Sequence, residues 1–94
     1  MAAIETLRRE FPGSQVWRDY AKAVLGRVDA LPTPTVFDGI DLETAQVIAV
    51  LVGDHASSWW STSVSALEGA SPAEIVAEYN DGLLIIRSLL MRFP

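Results

Sequence analysis

The chain has no cysteine, one histidine, and no apolar run long enough to span a bilayer. Each gap removes a class of function. Without thiols there is neither a disulfide framework nor a thiolate metal site, which fits a reducing compartment. Zinc needs three or four ligands, and His55 alone leaves only carboxylates to supply the rest, so no metal site is expected. The run Ala45 to Val52 is far shorter than the ~20 residues of a membrane-spanning helix. The N-terminus, MAAIETLRREFPG, lacks the uninterrupted apolar segment of a signal peptide. A soluble, cytoplasmic protein without a membrane partner is expected.

Basic residues are also scarce. Seven Lys and Arg stand against 12 Asp and Glu, for a net charge of -5. The charges are scattered rather than blocked, so phosphate binding driven by counterion release has little to draw on, and a nucleic-acid partner is not expected. No glycine-rich phosphate cradle occurs, and no cofactor is implied. His55 has Asp54 beside it and Ser57 and Ser58 nearby, but sequence neighbours on a short helix do not create triad geometry. The expectation is a protein that is not an enzyme, with no catalytic residue.

What the sequence does have is apolar residues, 50% of 94. That fraction argues against disorder, and the length allows one small domain with one core. The reading is all-α: a small bundle of about five to six helices with one Pro-rich connector.

Ile4, Leu7 and Phe11 recur at helical spacing over Ala2 to Phe11, and Pro12-Gly13 ends that helix. Ser14 is a candidate N-cap for a second helix to about Asp29, with Val16, Tyr20, Val24 and Val28 along one face. Two prolines in Leu31 to Gly39 impose an extended connector, with Val36 and Phe37 tucked against the core. Asp41 is placed to cap a third helix that carries Leu42, Ala45, Ile48, Ala49 and Val52 on one face and stops at Gly53. That helix has no Lys or Arg, which speaks against a DNA-recognition helix. Asp54 is a candidate cap for a short helix through Trp59-Trp60. Adjacent helical residues point about 100° apart, so either one indole lies in the core and the other faces a partner, or both are wedged between neighbouring helices.

The strongest local signal is Ser71-Pro72-Ala73-Glu74. A Ser N-cap, a Pro at the first helical position and a Glu three residues after the cap form a capping box. A helix is therefore expected to begin at Pro72 and to run until Asn80-Asp81-Gly82, after which Asp81 can cap the last helix. That last helix is apolar nearly all round, with only Arg87, Ser88 and Arg92 polar. That helix is either central to the core or covers a partner with its second face, and a ~10 kDa chain has little room to bury a helix on every side.

The pattern W-W-x-x-x-x-x-A-L-x-G-x-x-P, from Trp59 to Pro72, resembles the C-terminal toxin-binding domain of Xre/MbcA/ParS-type antitoxins. Trp59 and Trp60 take the places of a Trp-Leu pair. Leu67, Gly69 and Pro72 follow as landmarks, Ile75 and Val76 as an apolar pair, Gly82 as a later glycine, and Ile86 and Leu89 in the final helix. Val52-Gly53-Asp54 resembles the lead-in to the Trp helix. Ser63-Val64 departs from the family's Pro-Asn. The match covers about residues 52-93 of a single domain, 1-94, and leaves 1-51 as a helical half of unassigned role.

The resemblance implies a non-catalytic protein-interaction module, often a homodimer, that occludes a RES-type NAD-degrading toxin or another target enzyme. Partner-binding candidates are Trp59, Trp60, Arg87, Leu90, Met91 and Arg92, since aromatic and Arg residues dominate hot spots; Arg87 and Arg92 also read as ordinary solvated charges. Leu67, Gly69, Ser71, Pro72, Glu74 and Gly82 are the motif and structural residues. One alternative is a small acidic, phage-type inhibitor of a nucleic-acid-handling or defence complex, with Asp38, Asp41, Glu43 and Asp54 as its carboxylate face. A weaker one is a helix-turn-helix regulator built from residues 14-53.

Overall fold

A computed structural model describes residues 3-93. Within them the chain forms six α-helices and two 3₁₀ turns, with no strand. The helices are α1 (Ala3–Arg9), α2 (Ser14–Leu25), α3 (Leu42–Val52), α4 (Ala56–Ser61), α5 (Pro72–Glu78) and α6 (Gly82–Leu90). A 3₁₀ turn at Gly53–His55 joins α3 to α4, and another at Ser65–Leu67 precedes α5. The all-α bundle expected from the sequence is what the chain adopts.

The organising element is α6. Ile85, Ile86 and Leu90 are fully buried and Leu89 nearly so. Packing against α5, α1 and α3 covers it from three sides. Of the two readings of its composition, the core one describes it: none of its large apolar residues is exposed, and no second face is left free. Burial of each such side chain stabilises the fold by ~1.5–3 kcal/mol, and the short helices around α6 achieve this by crossing it closely.

The closest crossing is at Gly82. A Cβ there would stand 2.6 Å from Val76 Cα, so α5 and α6 meet backbone to backbone. The capping box ahead of α5 is complete. The Glu74 backbone N–H donates to Ser71 Oγ (3.2 Å), and the Ser71 N–H donates to Glu74 Oε1 (2.9 Å). The Ser71 backbone N–H is the larger cause that holds the Glu74 carboxyl below its usual pKa, and the Ser71 side chain is the smaller.

The N-terminal half is fastened to this hairpin at both ends of α6. At the start, Arg8 Nε and Nη2 bond both oxygens of Asp81, at 2.5 and 3.2 Å. At the finish, the Tyr20 hydroxyl donates to the Leu90 carbonyl at 2.8 Å. Glu68 sits in the left-handed region at φ 58°, and its carboxylate accepts from the Ile4 N–H at 3.0 Å, satisfying an orphan donor of α1.

Several local expectations are corrected. The buried face of α2 is Trp17, Ala21 and Val24; Val16 is 45% and Val28 36% exposed. Gly13, not Ser14, is the N-cap, and Gly26 ends the helix before Val28. On α3 the inward residues are Thr44, Ala45, Val47 and Ile48, while Leu42 is 55% exposed. Val36 is also exposed; only Phe37 tucks in. The side chains of Asp41, Asp54 and Asp81 cap none of the helices they were expected to cap.

Candidate functional site

Helix α4 is a single turn and a half, and its adjacent tryptophans diverge as helical geometry requires. Trp60 turns inward and is 6% exposed; Trp59 is half-buried. Phe37, carried on the connector, stacks on Trp60 with ring centroids 4.5 Å apart and planes 7° from parallel. Trp60 is tilted against Trp59 at 6.4 Å, and Trp59 meets the edge of Phe93 at 6.2 Å. Four rings thus form a row from the connector to the last turn of the chain.

At the Phe37 end the row opens into a cleft of about 490 Å³, lined by Phe37, Asp38, Gly39, Trp60, Ala73, Val76 and Ala77. Gly39 brings the connector against α5. Its φ is +89°, and a Cβ there would collide with Val76 Cγ1 at 2.2 Å. The α5 wall consists of small residues, because Ala73 and Ala77 are four apart on one face.

The cleft contains one titratable side chain, Asp38. Among the described residues no three His, Asp or Glu side chains converge as metal ligands. His55 is exposed at the N-cap of α4 and makes no capping bond.

The expected partner-binding residues separate. Leu90 is fully buried, and Trp60 nearly so, although it lines the cleft. Arg87 is neither a solvated charge nor a free anchor. It donates to Thr44 Oγ1 (3.2 Å), pairs with Asp41 (3.1 Å) and lies over the Trp17 ring at 5.1 Å. Burial of the Asp41 carboxyl would raise its pKa, but the Thr44 hydroxyl and then Arg87 outweigh that, and the net shift is downward. Arg92 is exposed and bridges to Glu10 at 2.8 Å. Trp59 and Met91 remain half-buried at the surface.

The motif residues form scaffold. Leu67 is fully buried, Gly69 has φ +85°, Pro72 occupies the first turn of α5, and Gly82 makes the helix crossing. Sequence reasoning missed the Phe37–Trp60 stack and the cleft beside it. It also missed a charge signal that was legible. No Lys or Arg occurs between Arg27 and Arg87, while nine of the 12 acidic residues fall there. All the cleft residues belong to that cation-free span.

Comparison with known proteins gives no match to any family model, curated protein or solved structure. Among the described residues no helix is long and apolar enough to cross a membrane.

Proposed function

We propose that this chain is a non-catalytic protein-interaction module of the antitoxin type, which binds and occludes a RES-type NAD-degrading toxin. The observation that carries the reading is the aromatic row Phe37–Trp60–Trp59–Phe93, with an open cleft at one end and half-buried Trp59 toward the other. Aromatic anchors beside a concave surface are the usual centre of a binding hot spot. The docking surface follows this row, with Trp59, Met91 and Arg92 at its edge. Leu90 and Arg87 act inside the fold.

The motif landmarks support the reading by position, since Leu67, Gly69, Pro72, Ile75 and Gly82 lie in or around the α5–α6 hairpin, whose α5 walls the cleft. Self-association into a homodimer goes with the reading, and exposed Val16, Leu31, Val36 and Leu42 provide apolar surface for it. So does a cytoplasmic location, where an NAD-degrading enzyme has its substrate.

Co-expression tests it. Cells producing a RES-type toxin should keep their NAD and their growth when this chain is present, and the two proteins should copurify. Unchanged NAD depletion rejects the antitoxin reading.

A second reading, a small acidic inhibitor of a nucleic-acid-handling or defence complex, draws on the cation-free span. Two of its four carboxylates are engaged internally. Asp41 is bound to Thr44 and Arg87, and Glu43 accepts from Trp17 Nε1 at 2.8 Å.

A further inference from the structure

Within the protein-interaction reading, on which this inference rests, we infer that the cleft between the connector and α5 takes a cationic amphipathic helix of the partner, its apolar face on Trp60 and Val76. Two observations select this occupant. The cleft is apolar at its floor and of a size that holds one or two large side chains, about 490 Å³. The one charge in its wall is the carboxylate of Asp38 and no Lys or Arg lines it, while exposed Glu74 and Glu78 follow Ala73 and Ala77 on α5, a step of about 100° round the helix.

The other carboxylates of the cation-free span differ. Asp81 is bonded by Arg8 and Asp41 by Arg87, so their charge is answered inside the chain. Among the described residues no such ion pair is made by Asp38, Glu74 or Glu78, and the Glu74 carboxylate, which accepts from the Ser71 N–H in its capping box, keeps its negative charge. An acidic or neutral helix would meet uncompensated repulsion or leave this charge unanswered. A cationic one gains steering and register from it. The small side chains of Ala73 and Ala77, one turn apart, leave room for a helix to lie alongside α5.

The test uses the full chain, isotopically labelled, titrated with a synthetic amphipathic peptide bearing lysines on one face and leucines with one phenylalanine on the other. The expected result is amide shifts confined to Phe37–Gly39, Trp60 and Ala73–Ala77, with affinity falling about tenfold between about 50 and 300 mM salt. Ala77→Arg, at an exposed position, should weaken binding at least about tenfold by blocking the wall and reversing its field. Should that variant fail to fold, Asp38→Lys on the connector carries the same comparison. Shifts elsewhere on the surface, equal binding of a glutamate-faced peptide, or no effect of either variant overturns the inference. Toxin neutralisation that survives Ala77→Arg removes the groove but keeps the module; peptide binding without any toxin neutralisation keeps the groove and rejects the antitoxin reading.

Discussion

Gly82 lies so close to Ile75 that a Cβ on it would stand 2.5 Å from the Ile75 carbonyl oxygen. The obstacle is backbone, which cannot rotate away as a side chain can. Gly82→Ala should therefore destabilise the fold by about 1–3 kcal/mol, the usual range for overpacking, despite alanine's better helix propensity. Urea unfolding should show a lower midpoint at an unchanged slope. A midpoint equal to or above wild type would mean that α5 and α6 separate at little cost.

Arg87 joins α6 to α3 and α2 through Asp41, Thr44 and the Trp17 ring. Arg87→Ala removes all three contacts. The Arg87 side chain is 19% exposed but that of Asp41 is 42% exposed, so solvent screens part of the loss, and about 1–3 kcal/mol is expected. Arg87→Lys keeps the charge without the planar fork and should recover only part of it. The indole N–H resonance of Trp17 reports the rearrangement independently of stability.

Tyr20→Phe deletes one hydrogen bond, to the Leu90 carbonyl, and should cost about 0.5–1.5 kcal/mol. Burial raises the Tyr20 pKa above its ordinary value, against a smaller lowering by Arg27. A raised folded pKa contributes stability that is complete below the unfolded value, near 10, and is lost as pH rises through the folded one. Ultraviolet titration should show a late-ionising tyrosine that is missing from Tyr20→Phe.

Acid should act in the opposite sense. The Arg8 side-chain bond is the main cause that holds Asp81 below its usual pKa, and Asp41 and Glu74 are lowered as well. Groups depressed by folding contribute stability above their unfolded pKa, near 4, and withdraw it as pH falls through the folded values. Denaturant midpoints measured from neutral pH to about pH 3 should fall steeply below about pH 4. In Asp81→Asn the slope should be shallower, and a slope identical to wild type would remove Asp81 from this account.

Local chemistry was legible in the sequence, and long-range competition was not. The Ser71–Glu74 box spans four residues and contains all of its own partners, so its pattern sufficed. The phase of α2 was misplaced by one residue because the valine spacing ignores what Trp17 gains by burying its ring and bonding Glu43, 26 residues away. Asp41 and Asp81 read as caps because the cations that compete for them lie far off in the sequence, and Thr44 also takes Asp41. Their carboxylates go instead to Arg87 and Arg8, cations distant in sequence. The same blindness affected α6: its apolar composition fitted either a core helix or one with a free face, because the three helices that pack against it cannot be read from spacing. Phe37 was expected against the core, yet its stack on Trp60 depends on a connector path that no spacing rule encodes.

The two fastenings of α6, Arg8 to Asp81 and Tyr20 to Leu90, set a limit on how the protein can be cut. Residues 52-93 carry the antitoxin-like pattern, but both ends of their last helix are held by side chains contributed before residue 21. Grafted alone onto another scaffold, that stretch would lose its anchors and expose the apolar surface that α1 and α3 now cover. Recombination that keeps this fold would have to move the whole chain, not its carboxy-terminal half.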